Sequence, residues 1–206
     1  MKILLFVEGA TEARCIPPLL RRWLDAHSAS RVGVIPVKFE GWATYYKDIA
    51  HKVSLNLGPN RRSDIVGGIG LLDLYGPTFF PEGMTSAEAR RQWAISHIET
   101  RVGNPLFQQH FAVHETEAWL LSQPEIFPRT VSEALGVRSG KPESINFANP
   151  PAKLLARIYR ERLNKNYKKI IDGFTLFGKL DLDEARKQCP SLVAFLDDAL
   201  RMATQS

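Results

Sequence analysis

The sequence has 206 residues, of which 44% are hydrophobic and 24% are charged. These values are typical of a soluble globular protein that buries a full core in one domain, with or without a helical appendage. The formal net charge of +5 and the pI near 9.3 favour an anionic partner such as nucleic acid or a nucleotide. A solvated basic surface explains the same charge equally well.

Cysteine usage and hydropathy exclude several classes of protein. Cys15 and Cys189 lie far apart and form no CxxC motif, so the sequence predicts neither a zinc site nor a disulfide framework. No stretch approaches the length of a membrane span, and Glu8 interrupts the N-terminal apolar run too early for a signal sequence. We therefore expect a cytoplasmic protein with no membrane partner.

The sequence begins with a predicted strand and helix. Residues 2–7 are apolar throughout, which predicts a strand that is buried on both faces. Residues 12–25 have helical periodicity. Because Pro17 and Pro18 are tolerated only in a first turn, we expect this helix to begin near Ile16.

The next segments continue this alternation. Residues 32–39 form a second strand candidate, in which Pro36 indicates an edge or a bulge. Residues 44–57 are predicted to be helical. The clearest strand lies within residues 64–76, and its apolar part ends on Asp73.

A fourth strand follows a long polar connection and a helix that is capped by Ser86. The segment PLFQQHFAVHETEAWLL opens as a strand and becomes helical at about His114. This order of strands and helices predicts an α/β fold with a mostly parallel sheet flanked by helices.

The C-terminal part of the sequence has a different composition. Prolines and glycines punctuate residues 124–151, and the sequence that follows is helical and basic. Residues 181–202 are predicted to form two helices that are broken at Pro190. We therefore expect an α/β core over residues 1–123 and a helical extension, packed on this core, over residues 124–206.

Acidic residues follow three of the apolar runs: Glu8, Asp73, and the pair Glu115 and Glu117. In open α/β sheets, ligands bind outside the carboxyl ends of the strands, so these side chains are expected to meet at one edge. Converging carboxylates repel one another unless a cation compensates them, and oxygen ligands suit Mg²⁺ or Mn²⁺. Such a cation binds phosphate oxygens and activates water for phosphodiester cleavage.

Each acid also has a simpler explanation. Glu12 suits the first turn of a helix because of the helix dipole, and Asp73 suits the turn before Gly76. Glu115 and Glu117 are two residues apart, so on a helix only one of them is expected to face the site.

The histidines give a weaker signal. His110 and His114 have the i, i+4 spacing of a metal-binding pair, but they straddle the predicted change from strand to helix. His114 is better explained as a structural or hydrogen-bonding residue.

The motifs FVEGATEA, LLDLYG, HETEAWLL and KQCPSLVAFLDDAL together resemble the bacterial domain-of-unknown-function 4276 family, whose fold is regarded as Toprim-like. The resemblance runs in order through nearly the whole chain. Its most specific parts are EGxTE and HExEAWLL.

The resemblance implies a Mg²⁺-binding site. Toprim domains occur in topoisomerases, primases and overcoming-lysogenization-defect nucleases. They carry a glutamate after the first strand and a DxD motif after a later one, which bind Mg²⁺ during phosphodiester chemistry. Glu8 matches this glutamate, Glu12 matches the second acid of the nucleases, and Asp73 matches the first position of DxD.

The sequence departs from this pattern at Tyr75, which occupies the second position of DxD. Glu115 or Glu117 is the candidate for the missing ligand. The resemblance further implies a role beside an ATPase in defence against phage or mobile DNA.

The first hypothesis is a nuclease that depends on Mg²⁺ or Mn²⁺ and acts on DNA or RNA. Glu8 and Glu12 are the catalytic candidates, and Glu12 serves as a second-site ligand or general base. The candidate metal ligands are Glu8, Asp73, Glu115 and Glu117. The candidate phosphate contacts, each of which is also explained as a solvated charge, are Arg14, Arg21, Arg22, Arg61 and Arg62.

Two other hypotheses use the same residues. The second is a non-catalytic Toprim-like partner of an ATPase, which Tyr75 in place of an acid favours. Trp42, Trp93 and Trp119 are then candidate interface anchors, although core packing is the commoner fate of tryptophan. The third is a hydrolase or transferase for a small phosphorylated metabolite.

Overall fold

Four parallel strands form the central sheet of the computed structural model, which describes residues 1–136, 141–144 and 149–205. The strands are β1 (Lys2–Val7), β2 (Gly33–Lys38), β3 (Ile65–Asp73) and β4 (Phe107–Ala112). Their order is β2-β1-β3-β4, and every neighbouring pair is parallel. The predicted α/β fold with a parallel sheet is confirmed, and Pro36 lies on an edge strand as expected.

Helices account for most of the remaining described residues. Those before residue 124 are α1 (Ala10–His27), α2 (Trp42–Leu57), α3 (Ala87–Val102) and α4 (Glu117–Leu121). Those after it are α5 (Arg129–Gly136), α6 (Pro151–Leu163), α7 (Lys169–Lys179), α8 (Leu182–Arg186) and α9 (Pro190–Thr204), with short 3-10 helices at Pro124–Ile126 and Pro142–Ser144.

Strand β1 is buried on both faces, which explains its unbroken apolar sequence. Ile3, Leu5 and Val7 belong to a core shared with α1 and the C-terminal helices. Leu4 and Phe6 belong to a second core that α2 and α3 cover. The sheet is therefore the middle layer of three, and its carboxyl edge is free to carry polar groups.

Helix α1 corrects one prediction. It begins at Ala10 rather than near Ile16, and both Pro17 and Pro18 lie inside it. Prolines remove helix hydrogen bonds. However, α1 packs against β1, β2, α7 and α9 and buries a long apolar face. Tertiary packing therefore outweighs the local cost, and Glu12 lies in the first turn of the helix.

The glycines of β3 allow α2 to approach the sheet closely. A Cβ atom on Gly68 would lie 2.8 Å from the side chains of Leu57 and Phe6. On Gly70 it would lie 2.1 Å from the Tyr45 hydroxyl. Any larger residue would push α2 away, so these glycines serve packing.

The C-terminal helices pack on the same core as the sheet. Helix α9 contacts β1, β3 and β4, and α7 lies along α1. The buried Trp119 indole donates to the Ser191 hydroxyl at the start of α9. The division at residue 123 stays a prediction, and residues 137–140, 145–148 and 206 of the predicted extension lie outside the described residues.

Two other features concern the predicted elements. Ser86 accepts a hydrogen bond from the Ala89 N–H, as expected of the residue that caps α3. Helix α4 begins at Glu117, not at His114, so the prediction of an earlier start is wrong. Within the described residues, no helix combines the length and hydropathy that a membrane crossing requires.

Candidate metal centre

The carboxyl edge of the sheet brings the predicted acids together. Glu8 follows β1 directly, Asp73 is the last residue of β3, and Glu115 and Glu117 follow β4. Oxygen atoms of Asp73, Glu115 and Glu117 all lie within 4.8 Å of one another, and all three side chains are buried. We call these three residues the acid triad.

Both glutamates after β4 take part, so the expectation that only one of them faces the site is wrong. That expectation assumed that both residues lie on a helix. Glu115 precedes α4 and Glu117 is its first residue, so the geometry that separates neighbours on a helix does not apply.

Main-chain groups fix two members of the acid triad. Asp73 Oδ1 accepts the Thr116 N–H at 2.9 Å, which joins the end of β3 to the segment after β4. Glu115 Oε2 accepts the Ala152 N–H at 2.7 Å, in the first turn of α6. Because α6 belongs to the C-terminal half, that half helps to orient the triad.

Lys169, the first residue of α7, lies against the acid triad. Its Nζ atom is 3.3 Å from Glu115 Oε1 and 3.3 Å from Glu117 Oε1. Burial opposes the charged form, but the carboxylates of Glu117, Asp73 and Glu115 raise the pKa of Lys169 overall. No sequence pattern distinguishes this lysine, since Lys165 and Lys168 are close neighbours with the same chemistry.

Glu8 and Glu12 lie next to the triad. Burial, and then the charge of Glu12, raises the pKa of Glu8 to about 7. Within the described residues, the buried Glu8 Oε2 accepts no hydrogen bond. Glu12 lies in the first turn of α1, where the helix dipole favours an acidic side chain, and burial raises its pKa.

The whole cluster is short of positive charge. Burial and then Glu12 raise the pKa of Asp73 well above its usual value, and burial raises that of Glu117 to about 7. Among the described residues, Lys169 is the cation that forms ion pairs with the triad, and its side chain is 38% exposed. Buried carboxylates that lack compensation are a suitable donor set for a hard divalent cation, so the acid triad can hold a metal ion.

Comparison with known families places the chain. The model of the family described as "Domain of unknown function (DUF4276)" matches residues 7–199. The chain belongs to this family. No curated protein matches it.

Solved structures similar to this DUF4276 protein include C-terminal regions of two OLD proteins. The one from Burkholderia pseudomallei is 18% identical with a TM-score of 0.49, and the match covers 96% of this chain and 98% of that one. The one from Xanthomonas campestris pv. campestris is 16% identical with a TM-score of 0.46, and the match covers 99% and 98%.

Tyr75 does not carry a carboxylate toward the triad, and it contacts a lysine instead. The Lys153 ammonium donates to the Tyr75 hydroxyl at 3.0 Å and lies 5.5 Å from the centre of its ring. This DUF4276 protein therefore has no second acid two residues after Asp73. The acids that lie close to Asp73 are Glu115 and Glu117, which follow β4.

Neither of the two candidate histidines is a member of the acid triad. His110 Nε2 is 3.1 Å from Asp198 Oδ2 on α9, and its ring meets Phe195 edge to face. His114 is buried, and burial lowers its pKa. Within the described part of the chain, neither joins a group that could hold a metal.

The candidate phosphate-binding arginines are scattered. Arg14 lies over the Phe174 ring, and Arg22 donates to main-chain carbonyls at the end of α7. Arg21 reaches the Pro17 carbonyl at 3.4 Å. Arg61 and Arg62 precede β3, so they lie at the amino edge of the sheet, opposite the triad. The nucleic-acid role of these arginines stays a prediction.

Proposed function

We propose that this DUF4276 protein is a nuclease that depends on Mg²⁺ or Mn²⁺ and hydrolyses phosphodiester bonds of DNA or RNA. The observation that carries the proposal is the acid triad: three buried carboxylates from two strand ends lie within 4.8 Å of one another. The Toprim-like resemblance of the sequence supports the same chemistry.

In this proposal, Asp73, Glu115 and Glu117 hold the cation. When bound, the cation supplies Lewis-acid activation of the phosphate and of a water molecule. Hydrogen bonds from Thr116 and Ala152 keep two of these carboxylates in place without occupying all of their oxygen lone pairs.

Glu8 is the better candidate for a general base than Glu12. The Glu8 side chain is half-buried, and its Oε2 atom has no hydrogen-bond donor among the described residues. Glu12 is buried in the first turn of α1 and is less accessible than Glu8. Glu8 is therefore free to accept a proton from the attacking water, while Glu12 sets the local charge or serves a second cation.

Lys169 has two roles in the proposal. Without substrate it partly neutralises Glu115 and Glu117. With substrate present, its remaining N–H bonds are available to a phosphate oxygen, which favours charge that develops during hydrolysis.

A cleavage assay tests the proposal. Purified protein is incubated with plasmid, single-stranded DNA and RNA in Mg²⁺ or Mn²⁺, and wild type is compared with Asp73→Asn. The proposal expects the variant to lose about a hundredfold or more of the activity. Asp64→Asn is the matched control, because Asp64 is an exposed acid at the opposite edge of the same sheet. Equal activity in wild type and Asp73→Asn contradicts the proposal.

The contact between Tyr75 and Lys153 favours a second candidate, a non-catalytic partner of an ATPase. In that case the triad holds a cation for structural reasons, and the protein cleaves none of the three substrates. An ATPase partner and a role in defence against phage are compatible with both candidates. Copurification of an ATPase from the native host together with absent cleavage supports the second one.

A further inference from the structure

A surface of aromatic side chains begins beside the acid triad and is not used by the proposed chemistry. We call it the aromatic shelf. It consists of Trp42, Tyr46, Phe79, Phe80, Trp93 and His97, all of which are partly exposed. These residues come from α2, from α3 and from the loop between β3 and α3.

Four of the six rings of the aromatic shelf, those of Tyr46, Phe79, Trp93 and His97, have stacked neighbours within this set, whereas Trp42 is tilted against Phe79 and Phe80 meets Trp93 edge to face. Tyr46 stacks on Phe79 with ring centres 4.5 Å apart and an angle of 12°. Trp93 stacks on His97 at 4.4 Å and 13°, and the Tyr46 and His97 planes differ by 14°. The shelf's own rings and Arg101 cover the Tyr46 ring, whereas Trp93 is partly exposed and offers an apolar surface on which a further planar group can stack.

Positive charge flanks these rings. The Arg101 guanidinium lies 4.5 Å from the centre of the Tyr46 ring and donates to the main-chain carbonyls of Tyr46 and Lys47. Within the described residues it pairs with no carboxylate. The Arg90 guanidinium lies 5.2 Å from the Phe80 ring. Aromatic faces flanked by guanidinium groups suit nucleobases joined to phosphates.

The Trp42 end of the aromatic shelf lies at the carboxyl edge of the sheet, close to Glu8. The Gly41 N–H donates to the Glu8 carbonyl at 2.8 Å, and Trp42 is the next residue. From the other strand, the chain runs from Asp73 through Gly76 to Phe79, whose ring is 6.0 Å from that of Trp42. At the position of Trp42, the shelf and the acids that follow β1 and β3 therefore share the carboxyl end of the sheet.

We infer that the aromatic shelf binds unpaired nucleobases of single-stranded nucleic acid next to the acid triad. The inference deepens the proposed nuclease function and rests on it for the identity of the ligand. A cleft of about 410 Å³ beside Tyr46, Trp93 and Arg101 is within the usual size of small-molecule sites and receives one base. Duplex bases, which are already stacked and paired, are excluded from this mode.

The test measures the binding of a fluorescein-labelled, mixed-sequence single strand of about 20 nucleotides by anisotropy, in EDTA so that no cleavage occurs. We expect Trp93→Leu to weaken binding about tenfold, and Trp93→Phe to stay within about threefold of wild type because it keeps an aromatic face. Arg101→Gln is expected to reduce the slope of log affinity against log salt concentration by about one.

Phe174→Ala is the matched control. Phe174 is an exposed ring with Arg14 stacked over it, but it lies on α7, away from the shelf. We expect its affinity to equal that of wild type. Unchanged affinity in Trp93→Leu, an equal loss in Phe174→Ala, or equal competition by duplex DNA would each overturn the inference.

Crosslinking provides a second measurement that does not depend on a variant's folding. Wild-type protein is photocrosslinked to a single strand carrying 5-iodouracil, and the adducts are mapped by mass spectrometry. The inference expects adducts on Trp42, Tyr46, Phe79 or Trp93, and adducts found exclusively elsewhere contradict it.

The two proposals fail in different ways. If Trp93→Leu weakens binding but wild-type protein cleaves no substrate with Mg²⁺ or Mn²⁺, the inference about the shelf is supported and the proposed nuclease function is contradicted. If Trp93→Leu cleaves nucleic acid with the kcat/KM of wild type, the inference about the shelf is contradicted and the proposed nuclease function is retained.

Discussion

The two edges of the sheet treat acidic residues in opposite ways. At the amino edge, the exposed Asp64 pairs with Lys2 at 2.7 Å and with Arg62 at 2.9 Å. Its hydrogen bond with Lys2 lowers its pKa. At the carboxyl edge, buried acids share Lys169, and burial raises the pKa values of Glu8, Asp73 and Glu117.

The difference supports the carboxyl edge as the site of the proposed function. At the amino edge, Lys2, Arg62 and water compensate the charge of Asp64, so its ion pairs contribute little to stability. At the carboxyl edge, ionised carboxylates are held close together and out of water, which destabilises the native protein. An arrangement that lowers stability in this way is typical of a ligand site.

The largest expected effect is a loss of stability as the pH rises in the absence of metal. Native Glu8 and Glu117 have a pKa of about 7, against an ordinary value of 4.5, so the native state binds more protons than the unfolded state between these values. The free energy of unfolding must then fall from pH 5 to pH 8. We expect a loss of about 3 kcal/mol from these two groups together, measured by urea unfolding in EDTA.

Other titrating groups do not obscure the expected change in the free energy of unfolding between pH 5 and pH 8. Acids with lowered pKa values, such as Asp64, act below pH 4 and are already ionised. His114 acts in the opposite direction below its ordinary value of 6.5, because burial lowers its pKa. The diagnostic quantity is therefore the difference between wild type and Glu117→Gln, which should lose less stability across the range.

Two controls complete this experiment. Glu161→Gln removes an exposed acid on α6 and should keep the wild-type pH dependence. Saturating Mn²⁺ should reduce the loss at pH 8, because the cation binds the deprotonated native carboxylates and stabilises the folded state by mass action. Identical pH dependence in Glu117→Gln and wild type contradicts the prediction.

A smaller effect is expected from Lys169→Met. Removal of a charge partner leaves Glu115 and Glu117 buried and less compensated. Fully buried pairs cost about 3–5 kcal/mol when broken in this way, and because the Lys169 side chain is 38% exposed we expect about 2 kcal/mol at pH 8 in EDTA. At pH 5, where the acids of raised pKa are protonated, the loss should be smaller.

The other end of the same helix supplies a matched control. Lys179 is exposed in the last turn of α7 and is far from the acid triad. Lys179→Met removes the same charge from the same helix, and we expect a change of about 0.5 kcal/mol or less. Equal losses in the two variants at pH 8 would show that Lys169 does not compensate the triad.

Part of this comparison was accessible from the sequence. The strands β1 and β3 are unbroken apolar runs, and each is followed or ended by an acid, Glu8 or Asp73. Because parallel strands share one carboxyl edge, the sequence predicts that these acids approach one another. Converging carboxylates predict Mg²⁺ or Mn²⁺, and the family resemblance implies Mg²⁺ as well.

The remaining part depends on contacts between distant segments. Lys169 lies 54 residues after Glu115, and no local pattern distinguishes it from Lys168. Helix α1 runs through Pro17 and Pro18 because burial of its apolar face outweighs helix propensity. The aromatic shelf joins side chains from α2, α3 and a loop, which only the folded chain brings together.

The smallest expected effect belongs to the amino edge. Asp64→Asn breaks an exposed ion pair with Lys2 and Arg62, whose charges remain in contact with water. We expect unfolding midpoints in EDTA and in Mn²⁺ that match wild type, and the same dependence on pH between 5 and 8, because salt and water screen such pairs. If Asp64→Asn instead removed the stabilisation by Mn²⁺, the cation would bind at the amino edge. This result would contradict the assignment of the acid triad as the metal centre.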